Sequence, residues 1–174
     1  MTRPGNPDFP TRVWRGIEAI DPPWAAGDYP AILAMAGSML AARQSRFPQT
    51  VAAGTLTRAE AEAQLATFAA IAADWRWIVT GEGQRAHLST LQARRDALDA
   101  SLDTIAAIAR DERGFSKPLT AQAQIVIAMR WHLEPERRTH AAAALTHLIR
   151  ADLRASSPLP RPADERAPSE RKAA

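Results

Sequence analysis

The chain has 174 residues, of which 46% are hydrophobic and none is cysteine. This length suits one domain, and the lack of cysteine excludes disulfides, thiolate nucleophiles and cysteine-based zinc sites. The formal net charge of +3 falls short of the dense positive charge of a dedicated nucleic-acid binder. No apolar run approaches the roughly 20 residues that span a bilayer, and the N-terminus lacks the apolar core of a signal peptide. We therefore expect a cytoplasmic protein that does not enter membranes.

Residues 1–28 are predicted to form an N-terminal arm. Its first residues are rich in proline and glycine and should be irregular. A short helix is predicted over 12–20, and Pro22 should end it because proline disfavours helical geometry in the residue before it. We expect the arm to lie across the helical body, held by Trp14 and Trp24; an exposed flexible arm is the alternative.

The first two long helices have clear start and stop signals. Asp28 can cap the first helix, and Pro30 suits its first turn. The second should begin at Thr57, which forms a capping box with Glu60, and should end at Gly81. Apolar residues recur at steps of three and four through both segments, as in the inner face of an amphipathic helix.

A third helix is predicted over roughly 84–112, with a length of about 40 Å. Its apolar residues step by three and four in a pattern close to a heptad seam: Leu88, Leu91, Leu98, Leu102, Ile105 and Ala109. Charged residues are assigned to the other side: Arg94, Asp96, Asp99, Asp103 and Arg110. Such a helix is the spine of a bundle or the arm of a coiled coil, so a homo-oligomer through the 88–109 seam is one prediction.

Two more helices complete the predicted bundle. Leu119–Leu133 carries apolar residues nearly all round, which indicates a central position. The last helix is predicted to open at Pro135, with its larger apolar residues on the inner face: Leu145, Leu148, Ile149 and Leu153.

The segment after the last helix has a different composition. Residues 156–174 contain four prolines and many charges, which is typical of a disordered tail. The predicted fold is therefore all-α: a bundle of about five helices over 29–155, between an extended N-terminal arm over 1–28 and the tail.

One stretch has a recognisable pattern. An arginine-rich helix leads into a Phe-Pro step, then Val, Gly, a capped Thr and a helix that ends in an apolar-acidic-aromatic group. The positions concerned are Arg43, Phe47, Pro48, Val51, Gly54, Thr57, Glu60, Ala61, Ile71 and Asp74. In this pattern residues 43–75 resemble small uncharacterised helical proteins encoded in bacterial prophages. The resemblance implies a mobile-element setting and assigns no residue roles.

Catalytic and metal-binding constellations are weak in this sequence. His132, Glu136 and His140 are spaced by four, which would align metal ligands on an uninterrupted helix, but Pro135 should break that helix. No serine stands at a suitable spacing from a histidine. There is no phosphate-binding glycine-rich loop and no dinucleotide fingerprint. We therefore predict no catalytic residues, no metal, no cofactor and no enzyme.

Arginine and aromatic residues give the candidate binding surface. Trp75-Arg76-Trp77 places two tryptophans about 100° apart on a helix, so both cannot be fully in the core, and one beside Arg76 would resemble a binding hot spot. Arg130 adjoins another tryptophan, and more arginines follow in the last helix. The predicted partner-binding residues are Trp75, Arg76, Trp77, Arg130, Arg137, Arg138, Arg150 and Arg154. The alternatives are that both tryptophans pack and that the arginines are simply solvated.

These observations favour a non-enzymatic phage or mobile-element binding protein that acts on a protein partner through helix surfaces. One concrete version is an inhibitor of a host defence or regulatory complex. A first alternative is a nucleic-acid-binding protein that uses the helix pair of 114–155, whose six basic and three acidic residues give it +3. A second is a structural or oligomeric helical protein. A deep pocket in which histidine and acidic side chains converge would count against the whole interpretation.

Overall fold

The computed structural model describes residues 9–83 and 89–156. The helices are α1 (Tyr29–Ala52), α2 (Arg58–Thr80), α3 (Leu91–Asp111), α4 (Lys117–His132) and α5 (Thr139–Ser156). An antiparallel pair of strands, β1 (Thr11–Trp14) and β2 (Ile17–Ile20), precedes them. Short 3-10 helices cover Trp24–Gly27 and Pro135–Arg137. The predicted all-α bundle of about five helices is confirmed. Beyond Ser156, the predicted tail falls outside the described residues.

The ends of α1 and α2 lie where the local signals put them. The Asp28 side chain accepts a hydrogen bond from the Ala31 amide at 3.1 Å. The Thr57 hydroxyl accepts from the Glu60 amide at 3.2 Å while Glu60 accepts from the Thr57 amide at 2.9 Å. These bonds satisfy amides that the first turn of a helix leaves without partners. Gly81 ends α2 at a φ of 75°, a conformation that glycine adopts at little cost.

α4 lies at the centre of the bundle, as predicted. Val126, Ile127, Ala128 and Met129 have no exposed surface, so four consecutive residues of this helix are surrounded by neighbours. Among the described residues, no helix combines the length and apolarity that a membrane crossing requires.

The seam of α3 packs inside the chain except at Leu91, which is 44% exposed. Leu98, Leu102 and Ile105 are between 0 and 3% exposed, so they contribute to the core and offer no surface to a second copy. The helix begins after Thr90, whose hydroxyl accepts from the Ala93 amide at 3.0 Å. With 21 residues it is about 31 Å long, shorter than the predicted 40 Å. Leu88 lies outside the described residues.

The prediction for the N-terminal arm was wrong in two respects. Residues 11–20 form a β-hairpin, because Arg15 and Gly16 take positive φ values of 50° and 83°, as in the tight two-residue turns that join antiparallel strands. The hairpin does dock through Trp14, which is 4% exposed, but Trp24 is 59% exposed and does not hold it. Inward and outward residues alternate only in β2, because in β1 the first three residues are all exposed, so the period-two signal of the segment is weak.

The prediction for the last helix was also wrong in two respects. α5 begins at Thr139, because Pro135–Arg137 forms a separate 3-10 turn and Arg138 takes a φ of 51°. The large apolar residues predicted to face inward are instead more than half exposed: Leu145, Leu148, Ile149 and Leu153.

Candidate partner-binding surface

The Trp-Arg-Trp group of α2 divides between core and surface. Trp75 is 3% exposed, and its ring meets those of Tyr29 and His132 edge to face, at centroid distances of 5.9 and 5.1 Å. Trp77 is half-buried and stacks on His140 at 6.2 Å. Arg76 is exposed and bonds Glu82 at 3.2 Å. Trp75 is therefore a core residue that no partner can reach.

Two of the predicted binding arginines are in partly buried ion pairs. Arg130 Nε lies 2.9 Å from Asp99 Oδ1, which joins α4 to α3. Arg137 Nη2 lies 3.0 Å from Glu134 Oε2, and its guanidinium stands 4.0 Å above the ring of Trp131. Carboxylates and an aromatic face already satisfy these two cations, so both mainly stabilise the fold.

The other predicted arginines lie on α5 or directly before it. Arg138, Arg150 and Arg154 are exposed. The Arg138 carbonyl accepts the first helical hydrogen bond of α5, from the Ala142 amide at 3.0 Å. Arg150 contacts the Val79 carbonyl at 3.5 Å, the limit of a hydrogen bond. The accessible arginines of the predicted set are therefore Arg76 on α2 and these three at or along α5.

α5 is held against α2 by small and polar residues. Thr139 and Ala143, four residues apart, are buried at 6 and 7% exposure. His147 Nε2 donates to the Trp77 carbonyl at 2.8 Å. Gly81 makes room for this histidine, since a Cβ at that position would lie 3.1 Å from the ring. These contacts fix which face of α5 points inward.

The opposite face of α5 is an exposed apolar stripe formed by Leu145, Leu148 and Ile149, which are 60, 69 and 52% exposed. Steps of three and four bring these three residues to one side of a helix. The same spacing places Asp152 on this side, next to Ile149. Isolated exposed leucines are ordinary, whereas these three are adjacent on one side of a helix.

The sequence contained a signal for this inversion. Thr139, Ala143 and His147 also recur at steps of four, so α5 has two faces that could point inward. Burial of the larger aliphatic residues would remove more apolar surface from water, but the face with Ala143 allows close approach to α2 and lets His147 bond a carbonyl near its end.

A cleft of about 720 Å³ lies beside the stripe, between the end of α2 and the starts of α3 and α5. Behind it Arg94 and Asp74 form a buried ion pair, 6 and 3% exposed. Arg94 also donates to the Ser89 carbonyl at 2.9 Å, and His140 Nε2 is 3.4 Å from Asp74 Oδ2. The assignment of Arg94 to a solvated side of α3 was wrong, and a histidine and an acid do converge here.

His132 at the same cleft has a structural role. Its Nε2 lies 2.8 Å from the Ala26 carbonyl, which can only accept, so this nitrogen donates. Its Nδ1 lies 2.8 Å from the Thr139 hydroxyl. Burial lowers the pKa of His132 below its ordinary value, against the opposing effect of the Ala26 bond. A neutral ring with both nitrogens bonded joins the turn before α1 to the start of α5.

The candidate metal ligands lie on three separate elements. His132 ends α4, Glu136 lies in the 3-10 turn and His140 lies in α5, so the three are not on one helix face. No group of three or more histidine, aspartate or glutamate side chains within 9–83 and 89–156 is arranged to hold a metal ion.

Comparison with models of known families, with curated proteins and with solved structures found no match.

Proposed function

We propose that this chain is a non-enzymatic binding protein that acts on another protein through the apolar stripe of α5. The observation that supports this is the outward position of Leu145, Leu148 and Ile149 on a helix whose other side is anchored to α2. Leaving three large aliphatic side chains in water forgoes roughly 1.5–3 kcal/mol each. A partner that covered them would recover much of that free energy on binding.

The chemistry of the partner follows from the residues around the stripe. A helix that presents apolar residues at steps of three and four suits a second amphipathic helix. Arg138 is exposed directly before α5, seven residues before Leu145 and so near the same side of the helix, and a carboxylate on the partner would be favoured there beside its apolar face. The expected partner surface is therefore an apolar helix that carries at least one acidic residue.

The geometry favours a protein partner over nucleic acid. Arg130 and Arg137, two of the basic residues in 114–155, are in ion pairs with Asp99 and Glu134. Phosphate contacts depend on cations that are free to neutralise the backbone. An apolar stripe also has no complement on a duplex backbone.

The non-enzymatic part of the proposal is supported by the bonding of His132 and Asp74 at the cleft, and His140, whose Nε2 is buried without a hydrogen-bond partner, is the residue that tests it. His132 uses both ring nitrogens, and Asp74 is paired with Arg94. A general base needs a nitrogen or carboxylate that can reach substrate. Turnover of a nucleotide, nucleic acid or peptide that is lost on changing His140 would contradict this part.

The narrower form of the proposal places the protein in a phage or other mobile element, as an inhibitor of a host defence or regulatory complex. It rests on the resemblance of residues 43–75 to prophage-encoded proteins. The stripe suits this role, since an inhibitor needs an accessible contact surface and no chemistry of its own.

The test is capture of partners by immobilised protein, followed by direct binding of each captured protein in purified form. We expect wild type to retain a partner that Leu148→Glu loses. Ile108→Glu, at an exposed aliphatic residue of α3 that is 40% exposed, is the matched control and should retain the partner. Equal capture by wild type and Leu148→Glu, or no direct binding by the purified protein, would contradict the proposal.

A further inference from the structure

We infer that the α5 stripe pairs with the same stripe of a second copy of this chain, in an antiparallel twofold dimer. This inference rests on the proposed function, because it identifies the partner of the same surface. A twofold contact requires a patch that is complementary to itself. In an antiparallel pair of α5 helices, self-complementarity means that the residues facing each other at each height match in size and charge.

The stripe is complementary to itself in side-chain size. Suppose that two copies of α5 run antiparallel and cross at Leu145. A residue a given number of positions after Leu145 in one copy then lies at the same height along the helix axis as the residue that many positions before Leu145 in the other copy. This register sets Leu148 opposite Ala142 and Ile149 opposite Ala141. Leu148 and Ile149, more than half exposed in the single chain, then each face an alanine on either side of the Leu145 pair, which gives the interlocking that close helix packing requires.

The two ends of the stripe are complementary in charge. Arg138 lies seven residues before Leu145 and Asp152 lies seven residues after it. The same antiparallel register therefore brings the Arg138 position of one copy to the level of Asp152 in the other, twice in the dimer. Both residues are exposed, and opposite charges at this level favour the antiparallel register.

α5 itself has the properties expected of the partner surface. The proposed function calls for an apolar helix that carries an acidic residue, and α5 with Asp152 is such a helix. α5 has 18 residues and is about 27 Å long. A contact of this length falls below the usual size of stable interfaces, so the dimer should be weak, with a Kd in the micromolar range or above.

The experiment is sedimentation of the full chain from about 5 to 500 µM, with circular dichroism as a check that every variant is folded. Wild type should change from monomer to dimer over this range. Leu148→Glu should weaken the dimer by at least about a hundredfold, because it buries a charge twice in a small contact. Ile108→Glu is again the control and should associate like wild type.

A charge-exchange test fixes the register. Arg138→Glu places two acids at the same level, and Asp152→Arg places two bases there, so each variant alone should associate roughly tenfold more weakly than wild type. A one-to-one mixture of these two variants restores both opposite-charge pairs. The mixture should therefore form a heterodimer about as tightly as the wild-type dimer.

The outcomes separate the inference from the proposed function. A wild-type monomer at every concentration, combined with stripe-dependent capture of a different protein, overturns the second copy as partner and leaves the proposed function standing. A monomer with no stripe-dependent partner overturns both. A dimer that survives Leu148→Glu, or a mixture no tighter than its components, overturns the α5 contact in this register.

Discussion

Asp74 of α2 and Arg94 of α3 form an ion pair that is almost fully removed from water, at 3 and 6% exposure. Their helices are adjacent in the bundle, and His140 of α5 approaches the same carboxylate at 3.4 Å. One acid thus connects three helices. Burying two charges costs free energy that their attraction offsets only while both are present.

The first prediction concerns the loss of one partner of this pair. Asp74→Leu leaves the Arg94 cation buried without its carboxylate and should lower the free energy of unfolding by about 3–5 kcal/mol. Asp74→Leu combined with Arg94→Met removes both charges and should be less destabilising than the single change. Urea unfolding followed by circular dichroism measures both.

The control for this prediction is the exposed pair of Arg76 and Glu82. Arg76→Ala should change the free energy of unfolding by less than about 1 kcal/mol, since water screens an exposed pair. If Asp74→Leu lowers the free energy of unfolding no more than Arg76→Ala does, the buried pair does not hold the three helices together.

The second prediction is a dependence of stability on pH that arises at His132. Burial lowers the pKa of this ring in the folded protein below its ordinary value of 6.5, and Arg137 acts in the same direction. The unfolded chain then binds a proton more readily than the folded one. Stability is therefore complete above pH 6.5 and falls as the pH drops below it, by at most about 1.4 kcal/mol per pH unit.

Urea unfolding between pH 5 and 8 tests this prediction. His132→Gln cannot titrate in that range, so the difference in unfolding free energy between wild type and variant should shrink as the pH falls. Parallel curves for the two proteins would show that His132 contributes no pH dependence.

The third prediction compares two glycines that both have positive φ. A Cβ added at Gly54, where φ is 72°, would meet no atom within 4 Å, whereas a Cβ added at Gly81, where φ is 75°, would lie 3.1 Å from the His147 ring. Gly54→Ala should cost about 1 kcal/mol from backbone conformation alone. Gly81→Ala should cost about 1 kcal/mol more, because it also displaces His147 from the Trp77 carbonyl.

Thermal or urea unfolding of the two variants gives this difference. In a His147→Ala background the excess cost at Gly81 should disappear, since no ring remains to be displaced. Equal costs at Gly54 and Gly81 in the wild-type background would mean that the bond from His147 to the Trp77 carbonyl does not require the space that Gly81 leaves for the ring.

Local signals in the sequence were sufficient to predict most of the helices. Asp28, Thr57 and Gly81 fix helix ends through bonds within a few residues of themselves, so their effect can be predicted without the tertiary structure. The central position of α4 followed in the same way from apolar residues on all its sides.

The incorrect predictions concern features of the fold that are determined by tertiary contacts. The hairpin over 11–20 depends on docking Trp14 against the bundle, and a segment that short carries little periodic signal. The orientation of α5 depends on His147 meeting a carbonyl of α2 70 residues earlier. The pairing of Asp74 with Arg94 likewise joins two helices, so residue type alone placed Arg94 with the solvated charges.

The last prediction contrasts Arg43 with Arg94. Arg43 is half-buried, and burial lowers its pKa to about 10, with Arg46 adding to the effect. Its bonds go to the Met39 carbonyl and the Ser101 hydroxyl, and its guanidinium lies 3.4 Å from the centre of the Phe68 ring. Ser101 also donates to the Ala97 carbonyl at 2.8 Å, so it stays bonded if Arg43 is removed.

Arg43→Met should therefore change the free energy of unfolding by no more than about 1 kcal/mol, since the lost contact with Phe68 is worth roughly that much and no carboxylate loses its counter-ion. Arg94→Met should cost several kcal/mol, because it takes the guanidinium away from the buried Asp74 carboxylate. Urea unfolding of the two variants at pH 7 measures the contrast. Equal costs would mean that the arginines stabilise this bundle through their packed side-chain stems, and that the carboxylate of Asp74 adds nothing.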